Sequence, residues 1–357
     1  MADRIRLAFP DVGAEEARAV ENVLDDGMLT MGPRVAEFES LLAKACETRH
    51  AVAVSSGTAA LHLAVLALGI GAGDEVIVPA YTFPATANVV ALAGATPRLV
   101  DVDPQTMNLV PEQVSELIGP RTRAVIAVHL FGRPLDWERL VKAVPKEVAL
   151  IEDAAGALGA RSRGRACGSL GVMGCLSFHP RKTVTTGEGG AVTTNDEGLA
   201  DQIRERRHHG IRSNGDFDIA RPGLNYRLSD ILCAVGIPQM RRLDELLAAR
   251  RRIAAEYEAR LSGIVETPSA DEGDEHGWQA YVVALDHRDE ALTSLREHGI
   301  EAQIGTYALH RLSAYSDQGH FPGADAAFSR ALAVPFHTRL QAGDLDRVAE
   351  IVEQFAD

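Results

Sequence analysis

Short apolar runs recur between residues 50 and 195, and a stretch with helical periodicity separates most of them from the next. The runs cover residues 51–54, 75–78, 97–102, 124–130, 148–152, 175–178 and 190–193. Strands that alternate with helices form a mainly parallel sheet with helices on both faces. The chain is therefore predicted to have an α/β fold built on such a sheet.

The chain is long enough for a second, smaller unit. It has 357 residues, of which 46% are hydrophobic and 24% charged, so it can bury a large core. We expect a large α/β domain at residues 36–240 and a smaller α+β domain formed by residues 1–35 and 241–357. Residues 240–261 are predicted to form a solvated amphipathic helix, and YVVALD at 281–286 a strand of the small domain.

Composition excludes several classes of partner. A net charge of −14 argues against a nucleic-acid binder, which would normally present a basic face. No apolar run approaches the length of about 20 residues that a membrane span needs, and the N-terminus has no signal-peptide pattern. The four cysteines are scattered without a CxxC pair, which favours reduced thiols in the cytoplasm over a metal site. We therefore expect a cytoplasmic protein with no metal, nucleic-acid or membrane partner.

The segment LSFHPRKTVTTGEGGAVTTN, residues 176–195, places Lys182 between a strand-like run and a glycine-rich turn. A lysine amine can form an imine with a carbonyl, which is how an aldehyde cofactor such as pyridoxal phosphate (PLP) is attached to an enzyme. The alternative is an ordinary surface lysine, because lysine is rarely buried. The surrounding segments favour the cofactor interpretation.

Asp153 ends the apolar run VALIED and precedes a turn of small residues. An acid at the carboxyl end of a parallel strand lies where open α/β sheets bind ligands. A carboxylate there can also hold a protonated pyridine nitrogen, as an electron-sink cofactor requires. The alternative, about equally favoured by this residue alone, is a cap of the next helix.

Two further segments fit a phosphorylated aromatic cofactor. The sequence Ser55-Ser56-Gly57-Thr58 follows a strand and opens a helix-like run, so its free N–H groups can bind phosphate, although Ser and Thr are also ordinary caps. It is neither a Walker loop nor a GxGxxG motif. Phe83 follows another short strand, where an aromatic ring can stack on a heteroaromatic ring or simply pack in the core.

Together these segments resemble the DegT/DnrJ/StrS family of PLP-dependent sugar aminotransferases, within the fold-type I enzymes. The resemblance covers nearly the whole chain. Its motifs are GMLTMGPRVAEFES, SSGTAALHLA, PAYTFPATAN, PRLVDVDPQT, VHLFGRPLD, IEDAAGALGA, SFHPRKTVTTGEGGAVTTND, GLNYRLSDILCAVG, IGTYALH and ALAVPFH.

The resemblance implies roles for individual residues. Lys182 would form the internal aldimine and then move a proton between substrate and cofactor carbons, while Asp153 would hold the pyridine nitrogen. Phosphate would be bound by Thr58, Ala59 and Ser177.

The resemblance also implies a homodimer with shared active sites. Phe83 would stack on the cofactor ring, and Asn225 would reach the phosphate of the neighbouring subunit. One position departs from the family pattern: Gly156, three residues after Asp153, replaces a polar residue of many relatives. Its contact must be missing or supplied from elsewhere.

The leading hypothesis is an aminotransferase that moves an amino group, from glutamate, to a keto group of a nucleotide-activated sugar with ping-pong kinetics. One alternative is a PLP-dependent sugar dehydratase, although such relatives replace the lysine with histidine and this chain keeps Lys182. The other is a non-catalytic regulator or scaffold with the same fold. The sugar, the nucleotide and the aminated carbon are not determined by the sequence, and a cyclitol acceptor stays open.

Overall fold

The computed structural model describes residues 4–212 and 218–356. Its helices are α1 Ala14–Asp26, α2 Pro33–Ala45, α3 Gly57–Ala67, α4 Ala85–Leu92, α5 Pro111–Leu117, α6 Trp137–Ala143, α7 Glu197–Arg207, α8 Asp230–Arg241, α9 Leu243–Leu261, α10 Arg288–Glu297, α11 Pro322–Arg330 and α12 Ala342–Glu353. Its strands are β1 His50–Val54, β2 Glu75–Pro79, β3 Tyr81–Thr82, β4 Thr96–Val100, β5 Thr122–Val128, β6 Ala149–Asp153, β7 Arg161–Ser162, β8 Arg165–Ala166, β9 Met173–Ser177, β10 Gly190–Thr194, β11 Tyr281–Ala284, β12 Gln303–Ile304, β13 Tyr307–Ala308 and β14 Ala331–Val334.

The central sheet has seven strands in the order β1-β10-β9-β6-β5-β2-β4. The pairs β9–β6, β6–β5, β5–β2 and β2–β4 are parallel, whereas β10 runs antiparallel to both of its neighbours. The predicted mainly parallel sheet is confirmed, and each of the seven apolar runs overlaps one of its strands. Parallel neighbours need a crossover connection, usually a helix. The link from β9 to β10 contains none, which accounts for the one reversed strand.

Alternate residues of each strand face opposite layers of the core. Val76 and Val78 pack with α3 and α4, while Ile77 between them packs with α5 and α6. On the second face near β1 and β10, the layer is formed by α2 and α8. Both faces of the sheet are therefore covered, as the near-continuous apolar strands predict.

A second, smaller sheet has the order β11-β14-β12 and is antiparallel. It packs with α10 and α12 around a separate apolar cluster that includes Tyr257, Tyr281 and Leu332. Helix α9 joins the two units, because Leu243 and Leu247 pack in the large core while Tyr257 and Leu261 pack in the small one. The division at residues 35 and 240 stays a prediction.

The predicted single helix over residues 240–261 is two helices in the structure. α8 ends at Arg241 and α9 begins at Leu243, with Arg242 between them at φ −109° and ψ 24°. The Arg242 guanidinium donates hydrogen bonds to Asp11 at 3.0 Å and to Glu16 at 3.0 Å. This contact ties the N-terminal segment to the junction between the two units.

Two structural observations concern the helices and the cysteines. Within the described residues, no helix combines the length and the apolar character that a membrane crossing needs. All four cysteines are free and buried: Cys46, Cys167, Cys175 and Cys233. Burial raises the pKa of each thiol, so these cysteines are weakly reactive core residues.

Candidate active site

A cavity of about 580 Å³ lies at the carboxyl ends of the central strands. Five of the seven residues predicted for the site line it: Thr58, Phe83, Asp153, Ser177 and Lys182. They come from four strand–loop junctions that are far apart in the sequence. The sheet brings them together because Asp153 and Ser177 are each the last residue of a strand, as an open α/β sheet predicts for a ligand site.

Lys182 lies in the loop between β9 and β10, half-buried in the wall of the cavity. Its backbone N–H donates to the His179 carbonyl at 2.8 Å. Loss of solvation lowers the pKa of the Lys182 amine to about 8; the negative charge of Asp153 opposes this shift, and the Arg181 and Arg250 guanidiniums add to it. With that pKa about one amine in ten is neutral at pH 7, far more than for an ordinary lysine.

Asp153 is buried at the end of β6 beneath the same cavity. Its carboxylate accepts a hydrogen bond from the Thr86 hydroxyl at 2.8 Å and another from the Ala155 N–H at 3.2 Å. Burial raises the pKa of Asp153, and these hydrogen bonds and the Lys182 charge oppose the increase. Turns that lead to β7 follow this residue, so Asp153 does not cap a following helix.

The start of α3 forms an N–H cradle at the cavity wall. Ser56 is the N-cap, and its hydroxyl accepts the Ala59 N–H at 3.0 Å. Among the described residues, no acceptor takes the N–H groups of Gly57 and Thr58. A Cβ at Gly57 would lie 2.8 Å from the Ser177 Cβ, so only glycine fits between the helix start and β9. The N–H groups of Gly57 and Thr58 and the hydroxyls of Thr58 and Ser177 are thus available to bind an anion.

Phe83 is 60% exposed, and its ring meets the Tyr307 ring edge-on with centroids 6.2 Å apart. It lines the cavity and is not a core residue. Ala59 is buried in α3 and Asn225 is exposed beside His208, and neither lines the cavity. The role expected for Asn225 concerns a neighbouring subunit, so it stays a prediction, as does that of Ala59.

The side chain of Gln279 lies beside Gly156, the position that departs from the family pattern. A Cβ at Gly156 would lie 3.3 Å from the Gln279 Oε1 and 3.5 Å from its Cβ and Cγ, so the glutamine side chain fills this space. The Gln279 amide also donates to the Arg181 carbonyl at 3.2 Å. A polar group is therefore supplied from the segment before β11, which no local sequence signal connects with Gly156.

Three further residues of the site were missed in the sequence. Thr86 belongs to a motif that pointed to Phe83, but its contact with Asp153 depends on how α4 packs against β6. Arg181 and Gln303 line the cavity, and the Arg181 guanidinium donates to the Gln303 Oε1 at 2.7 Å. The residue before Lys182 was a visible signal for Arg181, whereas Gln303 had none.

Glu152, which precedes Asp153 on β6, belongs to a buried cluster with His129 and Cys167, and His129 also lines the cavity. Glu152 accepts from the His129 Nε2 at 3.0 Å and from three loop N–H groups, those of Gly168, Leu170 and Gly171. The His129 Nδ1 accepts the N–H of Leu135 at 3.0 Å, which leaves Nε2 to donate to Glu152. These hydrogen bonds occupy both Glu152 carboxylate oxygens and hold the loop at residues 168–171 against β6, which gives the cluster a structural role.

The residues in the cavity fit PLP. A lysine amine of lowered pKa can hold an aldehyde, a buried carboxylate can hold a pyridine N–H, and the α3 cradle can hold a phosphate. The fold and this site together define a fold-type I PLP-dependent enzyme.

The chain belongs to the DegT/DnrJ/EryC1/StrS aminotransferase family, whose model matches residues 10–353. It is a PLP-dependent aminotransferase. The GDP-perosamine synthase of Caulobacter vibrioides is 39% identical to it over 366 residues, covering 98% of both chains.

Two solved structures illustrate the likeness. DesV of S. venezuelae, in complex with a ketimine intermediate, is 36% identical with a TM-score of 0.91, covering 96% of this chain and 94% of its own. A Streptococcus pneumoniae protein assigned as a sugar aminotransferase, solved in its PLP form, is 28% identical with a TM-score of 0.94, covering 99% and 98%. These likenesses span the chain from end to end.

Proposed function

We propose that this aminotransferase moves an amino group from glutamate to a keto group of a nucleotide-activated sugar with ping-pong kinetics. The observation that carries the proposal is a cavity with Lys182 and Asp153 in a chain 39% identical to a GDP-perosamine synthase. Full-length coverage of that relative supports a substrate of the same class. A nucleotide sugar is anionic, so the net charge of −14 requires a local cationic group for its binding.

The seven predicted site residues would each have a defined task. Bound PLP supplies an electron sink that stabilises negative charge at the carbon next to the amino group. Lys182 would hold the cofactor and then move a proton through its Nζ, for which a pKa of about 8 is suitable near neutral pH. Asp153 would keep the ring nitrogen protonated.

The remaining residues would bind and orient. The N–H groups at the start of α3 and the hydroxyls of Thr58 and Ser177 would bind phosphate, with Ala59 contributing through its backbone. Phe83 would cover one face of the ring and exclude water.

A homodimer with shared active sites is part of the proposal. Met28, Leu29 and Met31 are all large, apolar and exposed in the connection between α1 and α2, as is typical of a contact surface. Asn225 is exposed and would reach the phosphate of the neighbouring subunit.

Mixed dimers test the sharing of sites. Lys182→Ala and Asn225→Ala homodimers are expected to be impaired, whereas their mixture after subunit exchange contains one site with both native residues. Recovered turnover in the mixture supports shared sites. A mixture whose turnover equals the sum of the two separate variants, or a monomeric mass by light scattering, would contradict shared sites.

The amino-transfer reaction is tested by absorbance. The PLP-loaded protein is expected to show a visible band that glutamate bleaches and 2-oxoglutarate restores. Because transamination is reversible, GDP-perosamine should bleach the same band, and other nucleotide-linked amino sugars and amino cyclitols test the remaining acceptors. Bleaching without any transfer of nitrogen would favour the dehydratase instead. A Lys142→Ala variant, altered at an exposed lysine on α6, serves as control.

Cytoplasmic localisation is retained as a prediction. Its support is the set of four unpaired, buried cysteines. Fractionation of the native host, with the enzyme activity as marker, tests it.

A further inference from the structure

Arg181 is a charged residue in the active-site cavity that none of the roles above uses. It precedes Lys182 in the chain, lines the same cavity and is exposed to it. Its guanidinium donates to the Gln303 Oε1 at 2.7 Å, and its carbonyl accepts from Gln279 at 3.2 Å. The side chain is therefore held from β12 and its backbone from the segment before β11.

The charge of Arg181 is not neutralised by the protein. Across residues 4–212 and 218–356, no carboxylate forms an ion pair with its guanidinium. It is also the only arginine among the cavity-lining residues of that part of the chain. A planar guanidinium with free N–H donors binds carboxylates and phosphates in a two-pronged geometry. A guanidinium without an ion-pair partner in a substrate cavity can therefore bind an anion.

We propose that Arg181, oriented by Gln303, binds a carboxylate of the amino donor. Arg181 and Lys182 are consecutive residues and both line the cavity, so an anion held by Arg181 lies in the same cavity as the Lys182 amine. In an amino acid, the α-carboxylate is bonded to the carbon that carries the amino group. In a nucleotide sugar, the sugar ring separates the diphosphate from the keto group. The donor therefore fits this position better.

The inference rests on the proposed function, since it assumes an amino-acid donor. It adds a subsite that explains how one cavity accepts two chemically different amino compounds. Arg181 would hold the small donor, and the nucleotide portion of the sugar substrate would lie beyond its reach. Both half-reactions begin from the same PLP-loaded enzyme if the donor is glutamate in one and GDP-perosamine in the other.

The experiment compares these two donors by stopped-flow absorbance on the loaded enzyme. Arg181→Gln removes the charge but keeps most of the side-chain length. Arg181→Lys keeps the charge but loses the planar guanidinium that donates two parallel hydrogen bonds. A hydrogen bond to a charged group is stronger than a neutral one, so Arg181→Gln should raise the dissociation constant of glutamate by about 10- to 100-fold. The constant for GDP-perosamine should change by less than about threefold, as expected for a group that makes no contact.

Three companion variants sharpen the result. Arg181→Lys should recover part of the glutamate affinity, and Gln303→Ala should weaken glutamate binding in the same direction but by about three- to tenfold, as for a neutral hydrogen bond. Arg252→Gln changes an exposed arginine on α9 and should alter neither constant. The cofactor absorbance per subunit and the far-ultraviolet circular dichroism confirm that each variant is loaded and folded.

Two results would overturn the assignment. An equal or larger loss for GDP-perosamine would place the diphosphate at Arg181, and unchanged constants for both donors would leave the guanidinium merely solvated. Wild-type enzyme that another amino acid bleaches but glutamate does not would refute the glutamate donor alone, and the variants are then compared with that amino acid. Wild-type enzyme that no amino acid bleaches would refute the proposed function and the subsite together.

Discussion

Glu152 and Asp153 are consecutive residues of β6, yet their carboxylates lie in opposite environments. Successive side chains of a strand point to opposite faces, so Glu152 enters the core and Asp153 lies beneath the cavity. Glu152 accepts hydrogen bonds from four donors, on His129, Gly168, Leu170 and Gly171. Asp153 accepts from two, on Thr86 and Ala155. One carboxylate is fully used by the fold, and the other keeps capacity for a ligand.

The difference distinguishes a carboxylate that stabilises the fold, Glu152, from one that is kept in an unfavourable environment, Asp153. Around Glu152, three of the four hydrogen bonds hold the loop at residues 168–171 against the sheet, and the fourth comes from His129. At the cavity, burial raises the pKa of Asp153 and lowers that of Lys182, so the surroundings disfavour the charged form of each group. A group kept in an unfavourable environment without structural benefit is typical of active sites.

Lys182→Ala should give the largest effect. Amino transfer is expected to fall by at least about 10⁴-fold, because in the proposed mechanism the same amine would attach the cofactor and move the proton. Steady-state assays of glutamate-dependent transfer measure it, with Lys142→Ala as the matched exposed-lysine control. Residual turnover within tenfold of wild type would show that another group performs the proton transfer.

Replacing the carboxylate of Glu152 or of Asp153 by an amide tests the comparison between these two residues directly. Asp153→Asn should lower turnover by about 10²- to 10³-fold, as for loss of a preorganised electrostatic contact, with little change in the free energy of unfolding. Glu152→Gln should lower the free energy of unfolding by about 3 kcal/mol, because its new NH₂ group faces donors, and change turnover far less. Urea unfolding and steady-state kinetics measure the two quantities. The reverse pattern would remove the distinction between the two faces of β6.

The stability of the cofactor-free protein should depend on pH through Lys182. The folded pKa of about 8 lies below the reference value of 10.5, so between these values the unfolded chain binds more protons. Stability contributed by this group therefore rises as pH increases from about 8 to 10.5, and the penalty is complete below pH 8. Lys182→Met should be more stable than wild type by about 2 kcal/mol at pH 7, allowing for partial exposure.

Urea unfolding at pH 7 and at pH 9.5 measures this effect. The advantage of Lys182→Met is expected to shrink at the higher pH. A constant difference between the two proteins would mean that packing, and not the lysine charge, separates them.

The smallest effect is expected at Gly156. A Cβ there meets Gln279 at 3.3–3.5 Å, so Gly156→Ala should change the free energy of unfolding by less than about 1 kcal/mol. Gly156→Gln should instead displace the Gln279 side chain and weaken substrate binding, because two amides cannot occupy one space. Michaelis constants for both substrates distinguish the variants. Equal Michaelis constants for Gly156→Ala and Gly156→Gln would show that Gln279 has no part in shaping the cavity.

Local pattern determined much of this protein. Apolar runs of strand length located all seven strands of the central sheet, and polar or glycine-rich residues at their ends located Lys182, Asp153 and Thr58, whereas Ser177 came from the family motifs. These signals are visible in the sequence because strand burial, helix starts and close backbone approaches are set by residues a few positions apart. The family motifs added the cofactor and the class of reaction.

Tertiary structure decided the rest. Thr86 reaches Asp153, Gln279 fills the space beside Gly156, and Gln303 orients Arg181 only after distant segments have packed together. No local rule links such positions, because strand order and the docking of the small sheet arise from burial of the whole apolar surface. The sequence alone therefore indicated candidate residues for the chemistry, and the fold determined which neighbours contact them.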